Sequence, residues 1–333
     1  LKFESVTAPL RVLVVKLSSL GDVIHTLPAA MDIKANFPDA QIDWVVEPSF
    51  APIVKACSAV HRVIACDLRH WRKNRWSQET RLAWRAFRAE LHRERYDAII
   101  DLQGLTKSAL VSWMARTSVQ GKRFAMAHAT QGSAYERPTR WVSDIAIRLE
   151  PRVHAMTRGR VVCASALQYQ LPFTPRYGLN FGQVTKDSQN TLVFVHGTSR
   201  ADKEWPLAHW KELGLRLSAA GYKIVLPHGN EEERLRSNAM AEMIPHASVW
   251  PSMSIENVMK AMASTTGVIG VDSGLSHLAV ALNVPHVQIY NFDTAWRTGP
   301  ITNPDEKPRQ RSVVDFPTPS VEAVFSLWKE CAA

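Results

Sequence analysis

Strand-like and helix-like segments alternate along this chain twice over, and that rhythm restricts the fold more than any single residue does. Residues 10–15 form an apolar, β-branched run, Lys16, Leu17, Ser18, Ser19, Leu20, Gly21 and Asp22 make a polar turn, and apolar positions return at helical spacing at Val23, Leu27 and Ala30. This is a strand, a tight turn and a helix start. Strand-like runs follow at 41–47, 60–65 and 98–101, with helical patterns at 78–94, 105–115 and 154–169; residues 121–151 are less regular. Residues 171–189 contain Pro172, Pro175, Gly178 and Gly182 without a clear period, which marks a linker. The second series has strands at 191–196, 222–227, 248–250, 268–271 and 287–290, with helices at 206–220, 231–244, 255–263 and 275–282. Such alternation implies a parallel sheet covered on both faces. Two doubly wound α/β domains are predicted, at 1–175 and 190–315, followed by a terminal helix at 320–333 that can pack on either, including back on the N-terminal one.

The length agrees with this division, because 333 residues exceed the usual span of one hydrophobic core. A charged fraction of 21% beside 46% hydrophobic residues excludes a disordered chain. The net charge of +9 points to an anionic partner without saying which. Cys57, Cys66, Cys163 and Cys331 are scattered without metal-ligand spacing, so neither a zinc site nor a disulfide framework is expected, and a reducing compartment fits. No apolar run approaches the ~20 residues of a membrane span, and the N-terminal residues do not read as a signal peptide. A soluble, cytoplasmic protein is expected.

In open α/β sheets ligands bind at the carboxyl ends of the strands. The second series has three polar strand ends: His196-Gly197-Thr198-Ser199 with Lys203, Pro227-His228-Gly229-Asn230-Glu231, and Asp272-Ser273-Gly274-Leu275-Ser276-His277. Gly274 permits close backbone approach, and the helix it opens offers free N–H groups to a phosphate. The sequence holds neither GxGxxG nor GxxxxGK[ST], so a nicotinamide fingerprint and a P-loop are both absent. Each residue also has a plain structural reading. Asp22 suits a helix N-terminus electrostatically, Ser273 and Thr198 suit N-caps, Lys203 suits a solvated surface, His277 suits a helix interior, and Glu231 opens an acidic run facing water.

Between Arg69 and Arg95, nine Lys and Arg residues oppose three Glu, a net +6 of the chain's +9. Trp71, Trp76, Trp84 and Phe87 are interleaved, with Trp84, Phe87 and Leu91 on one helical face. Basic residues with aromatics suit nucleic acid, an anionic sugar acid, or a phospholipid surface. A solvated basic helix with its aromatics in the core explains the helix, but explains less well the preceding RHWRKNRW stretch, read as a loop.

Four motifs, VVKLSSLGDVIHTLP, DLQGLTKSAL, HGTSRADKEWP and VDSGLSHLAVAL, occur in this order between residues 10 and 290. Together they resemble the lipopolysaccharide heptosyltransferases. The resemblance implies a GT-B architecture, two Rossmann-like domains facing a cleft. It implies inverting transfer of L-glycero-D-manno-heptose from ADP-heptose to Kdo2-lipid A, at the cytoplasmic surface of the inner membrane. Asp22 corresponds to the family's general base. Donor-binding positions carry over to Thr198, Ser199, Lys203, Glu231, Met253, Asp272, Ser273, Gly274 and His277. The acceptor side falls to Ser18, Ser19, Gly21, Gln103, Arg69, Arg72 and Lys73, the last three meeting Kdo carboxylates or lipid A phosphates. No metal or other cofactor is implied, since no DxD motif occurs and cationic and backbone groups would stand in for an ion. No nucleic acid partner is expected.

The sequence departs from the family pattern at 291–297, where Asn291-Phe292-Asp293 replaces a Gly-Pro-Thr type turn, and at Ser273, where threonine is common. A helix N-terminus also lowers a carboxylate pKa, whereas an effective base wants it higher. Burial or late proton transfer would offset this. The rival readings are a later-acting heptosyltransferase, another GT-B enzyme using a different nucleotide sugar, and a nucleic-acid-binding protein built on the basic stretch.

Overall fold

The computed structural model describes residues 9–182, 190–301 and 307–333; part of the predicted linker, 183–189, lies outside the described residues. The chain divides into two compact units, Leu1–Asn180 and Phe181–Ala333.

The first unit is built on six parallel strands: β1 (Arg11–Val15), β2 (Gln41–Val46), β3 (Arg62–Ala65), β4 (Tyr96–Asp101), β5 (Thr117–Met126) and β6 (Ile145–Ile147). Their order is β3-β2-β1-β4-β5-β6. Winding runs outward from β1 in one direction and from β4 in the other, so the carboxyl ends of these neighbours flank a crevice, the position where such sheets take ligands. Val15 pairs with Asp101 in the register, which sets the turn after β1 beside the turn after β4. Leu13 and Val15 share a core with Phe87, Leu91 and Val111, from the helices Gln78–Leu91 and Thr106–Met114. Strand alternation turns Val12 and Val14 to the opposite face. There Leu20–Asn36 packs on Ala155–Leu167, joined by a buried, two-pronged Arg160–Asp32 ion pair with Nε–Oδ2 at 2.6 Å.

The second unit repeats the plan with β7 (Thr191–Val195), β8 (Lys223–Leu226), β9 (Ala247–Val249), β10 (Gly267–Val271), β11 (His286–Tyr290) and β12 (Gln310–Val314), all parallel. The order β12-β11-β10-β7-β8-β9 places the crevice between β7 and β10. Its core holds Phe194, Trp205, Trp210, Ile269 and Trp328.

Several expectations are corrected. The terminal helix, Val321–Ala332, packs on the second sheet: Val324 and Trp328 enter the second core, and the Trp328 ring abuts Gly267, where any Cβ would come within 2.2 Å of it. The RHWRKNRW stretch is not all loop, since Leu68–Lys73 is a helix capped by Asp67, whose carboxylate accepts from the His70 N–H at 3.1 Å. The irregular region holds most of β5, together with β6 and the short helix Pro138–Val142, and β12 is a strand beyond the last one predicted. Among the described residues, no helix is long and apolar enough to cross a membrane.

Candidate active site

The turn after β1 is held by its neighbours' side chains. Gln103 Oε1, after β4, accepts from the N–H groups of Leu17 at 3.0 Å and Ser18 at 3.1 Å. Lys107 Nζ donates to Ser18 Oγ at 2.6 Å and to Glu47 Oε1 at 2.9 Å, tying together the carboxyl ends of β1, β2 and β4. Beneath them Asp101 accepts from the N–H groups of Gln103 and Gly104 and from the Ser108 hydroxyl. Burial pushes the Asp101 carboxyl up to about 6 despite these donors.

Asp22 occupies the third position of the helix Leu20–Asn36 and reaches back to Ser19, accepting from its N–H at 3.3 Å and its hydroxyl at 3.2 Å. Lys16 Nζ lies 3.7 Å from Asp22 Oδ1 and donates to the Leu102 carbonyl. Desolvation works to raise the Asp22 carboxyl, but Lys16, the Ser19 N–H and Arg158 outweigh it and hold it below the usual range. Its side chain keeps 44% exposure, so the carboxylate is anchored yet open to a reactant. Burial in turn lowers the Lys16 ammonium, with Asp22 opposing. Asp22, Ser18, Ser19, Gly21 and Gln103 therefore share one strand-end turn. Arg69, Arg72 and Lys73 stand on the helix after β3, on the same sheet edge but two strands away from β1. Gln103 braces this turn through its own side-chain oxygen, a role its sequence position does not reveal.

In the second unit, Asp272 at the end of β10 is the hub. Its Oδ2 lies 2.6 Å from Lys203 Nζ, and its Oδ1 lies 3.4 Å from His277 Nε2 and accepts from Thr298 Oγ1 at 3.3 Å. Burial alone would raise this carboxyl, but His277 and Lys203 hold it well below the usual range. Thr198 Oγ1 donates to the Asp272 carbonyl at 3.2 Å, bridging the ends of β7 and β10. Ser273 is the N-cap of the helix Gly274–Ala281; its hydroxyl is buried and has no hydrogen-bond partner among the described residues. A lysine, an unsatisfied hydroxyl and a helix N-terminus thus meet at one crevice, the constellation an anionic ligand requires.

Other expected donor residues stand further out along this edge. Glu231 opens the helix after β8 and pairs with Arg234 at 2.5 Å. Met253 is half-buried in the loop after β9, and Ser199 is exposed in the loop after β7. Sequence reasoning missed Asn291, which fills the variant turn: its Nδ2 donates to the carbonyls of Asp202 at 3.0 Å and Glu204 at 2.9 Å, fixing the short 3-10 turn Ala201–Lys203 that presents Lys203. It also missed Lys16, whose signal was available, since a lysine ending an apolar strand is rarely buried without a partner.

Comparison with known proteins identifies the family. Residues 84–315 match glycosyltransferase family 9 (heptosyltransferase). Lipopolysaccharide heptosyltransferase 1 of Pseudomonas aeruginosa is 40% identical over 297 residues, covering 87% of this chain and 81% of that protein. The structure of the Escherichia coli heptosyltransferase WaaC with ADP superposes with a TM-score of 0.85 at 34% identity, covering 97% of this chain and 100% of the other. The same enzyme with ADP-2-deoxy-2-fluoro heptose gives 0.78 at 35% identity, covering 96% and 99%. Its two Rossmann-like units are those of the GT-B architecture, and the chain is a glycosyltransferase belonging to family 9, the heptosyltransferases.

Proposed function

We propose that this enzyme transfers L-glycero-D-manno-heptose from ADP-heptose to Kdo2-lipid A, with inversion at the anomeric carbon, in assembly of the lipopolysaccharide inner core. The observation that carries the proposal is the crevice between β7 and β10, where Lys203, the unsatisfied Ser273 hydroxyl and the N-terminus of Gly274–Ala281 converge. Such a site suits a diphosphate, and the relatives supply the nucleotide and the sugar. Thr198, Ser199, Glu231, Met253 and His277 complete the donor side.

In the proposed mechanism an acceptor hydroxyl oxygen attacks the anomeric carbon, the bond from that carbon to the diphosphate breaks, and the hydroxyl proton passes to Asp22. Inversion needs the base opposite the leaving group, as in inverting glycosidases. Asp22 is a weak base because Lys16 and Ser19 stabilise its charge, so the proton moves late, once bond formation has made the hydroxyl oxygen acidic. Lys203 and the helix N-terminus take up charge developing on ADP, so transfer proceeds without a metal or other cofactor. Arg69, Arg72 and Lys73 receive the carboxylates and phosphates of the acceptor, with the enzyme at the cytoplasmic face of the inner membrane.

The test is incubation with ADP-heptose and Kdo2-lipid A, with and without a chelator, followed by mass analysis of the acceptor. A gain of one heptose in both arms is expected. No gain, or a gain only on an acceptor already carrying heptose, overturns the assignment in favour of a different or later-acting transferase.

A further inference from the structure

We infer that the helical layer covering the Leu13 and Val15 face of the first sheet is a docking surface for an anionic phospholipid bilayer. The chain has 11 tryptophans, and the strongly exposed ones are Trp76 at 80%, Trp113 at 65% and Trp141 at 78%. All three lie on this one layer. Leu110, 41% exposed, stands one turn from Trp113 on Thr106–Met114, and that helix packs on Pro138–Val142, which carries Trp141. Trp76 joins the helices Leu68–Lys73 and Gln78–Leu91, and Leu82 on the second is 56% exposed. The layer is continuous, because His92 Nε2 sits 3.0 Å from the Met114 carbonyl and Arg116 Nη1 donates to the His92 carbonyl at 3.4 Å. Single exposed apolar residues mean little, but indole and leucine tips gathered on adjacent helices mark an interaction surface.

Charge selects the occupant. The stretch 69–95 carries +6 of the chain's net +9, and its cations from Arg69 to Arg88 are exposed. A second copy would bring the same positive face against it. Nucleic acid satisfies the charge and would stack on indole rings, but it leaves Leu82 and Leu110 without a partner. An anionic bilayer takes all three features: cations at the headgroups, indoles at the headgroup level, and leucines at the acyl boundary. The Arg75 guanidinium lies 5.1 Å over the Trp76 ring, so a cation and an indole already share one footprint.

This inference rests on the reading that the acceptor is a membrane lipid, and it is tested without donor or acceptor. The protein is sedimented with vesicles of phosphatidylethanolamine and phosphatidylglycerol, and with vesicles of phosphatidylcholine alone. Binding to the first set, weakened by salt, is expected. The double variant Trp113→Ser/Trp141→Ser should lose about tenfold or more of that binding, with unchanged thermal unfolding and unchanged transfer to a water-soluble, deacylated acceptor. Failure to bind anionic vesicles, equal binding by the double variant, tighter binding to single-stranded nucleic acid, or a dimer that the double variant dissolves would each overturn the inference. Vesicle binding without heptose transfer would refute the proposed function and leave the docking surface standing; transfer without vesicle binding would do the reverse.

Discussion

Asp22 and Lys16 show how a single turn sets the state of a carboxylate. Lys16 is nearly buried at 6% exposure, and its ammonium 3.7 Å away is the largest influence holding Asp22 below the usual carboxylate range. With its pKa depressed in the folded state, Asp22 contributes stability above its unfolded value of about 3.9, and that contribution is lost as pH falls through the lower folded value. With Asp22 as the proposed base, the acid limb of kcat/KM is accordingly expected below the usual carboxylate range. Lys16→Met removes the cation, so the limb should move to higher pH while donor affinity stays near the parental level. A pH–rate profile of the variant checks this, and an unshifted limb would show that Lys16 does not set the base. At this scale the sequence displayed the SSLGD turn and its aspartate but not the brace behind it, because the Gln103, Lys107 and Glu47 contacts join residues 60 to 89 positions apart.

Elements were legible where their burial was uniform. The central strands, buried on both faces, announced themselves as β-branched runs, whereas β5 and β12 are largely polar until their last residues, are partly exposed, and gave no such signal. The helix Leu68–Lys73 was hidden because it has only six residues, four of them basic counting His70. Its cations stand at the carboxyl edge of the first sheet, so neutralising Arg69, Arg72 and Lys73 together should raise the acceptor KM much more than the donor KM, measured in steady state; equal effects would remove them from the acceptor side. The terminal helix offers a stability test. Trp328 is 1% exposed and fills the space above Gly267, so Trp328→Ala should cost about 3–5 kcal/mol in denaturant unfolding of the second unit. A loss below about 1 kcal/mol would contradict the packing described.

For the molecule as a whole, the sequence revealed two units from the repeated alternation and the proline- and glycine-bearing linker, and the observed division between Asn180 and Phe181 lies inside that linker. Neither crevice was fixed in advance, because strand order depends on which non-consecutive strands pair, as β1 with β4 and β7 with β10 do. In this arrangement the proposed base and acceptor residues stand in the first unit and the proposed donor residues in the second. The proposed mechanism rests on this division of labour. It is tested most directly by Asp22→Ala, with ADP-heptose affinity measured by calorimetry and transfer to Kdo2-lipid A measured by product mass. Donor affinity within about twofold of the parent and transfer slowed about 100-fold to 10,000-fold are predicted; full transfer activity in the variant would contradict the account.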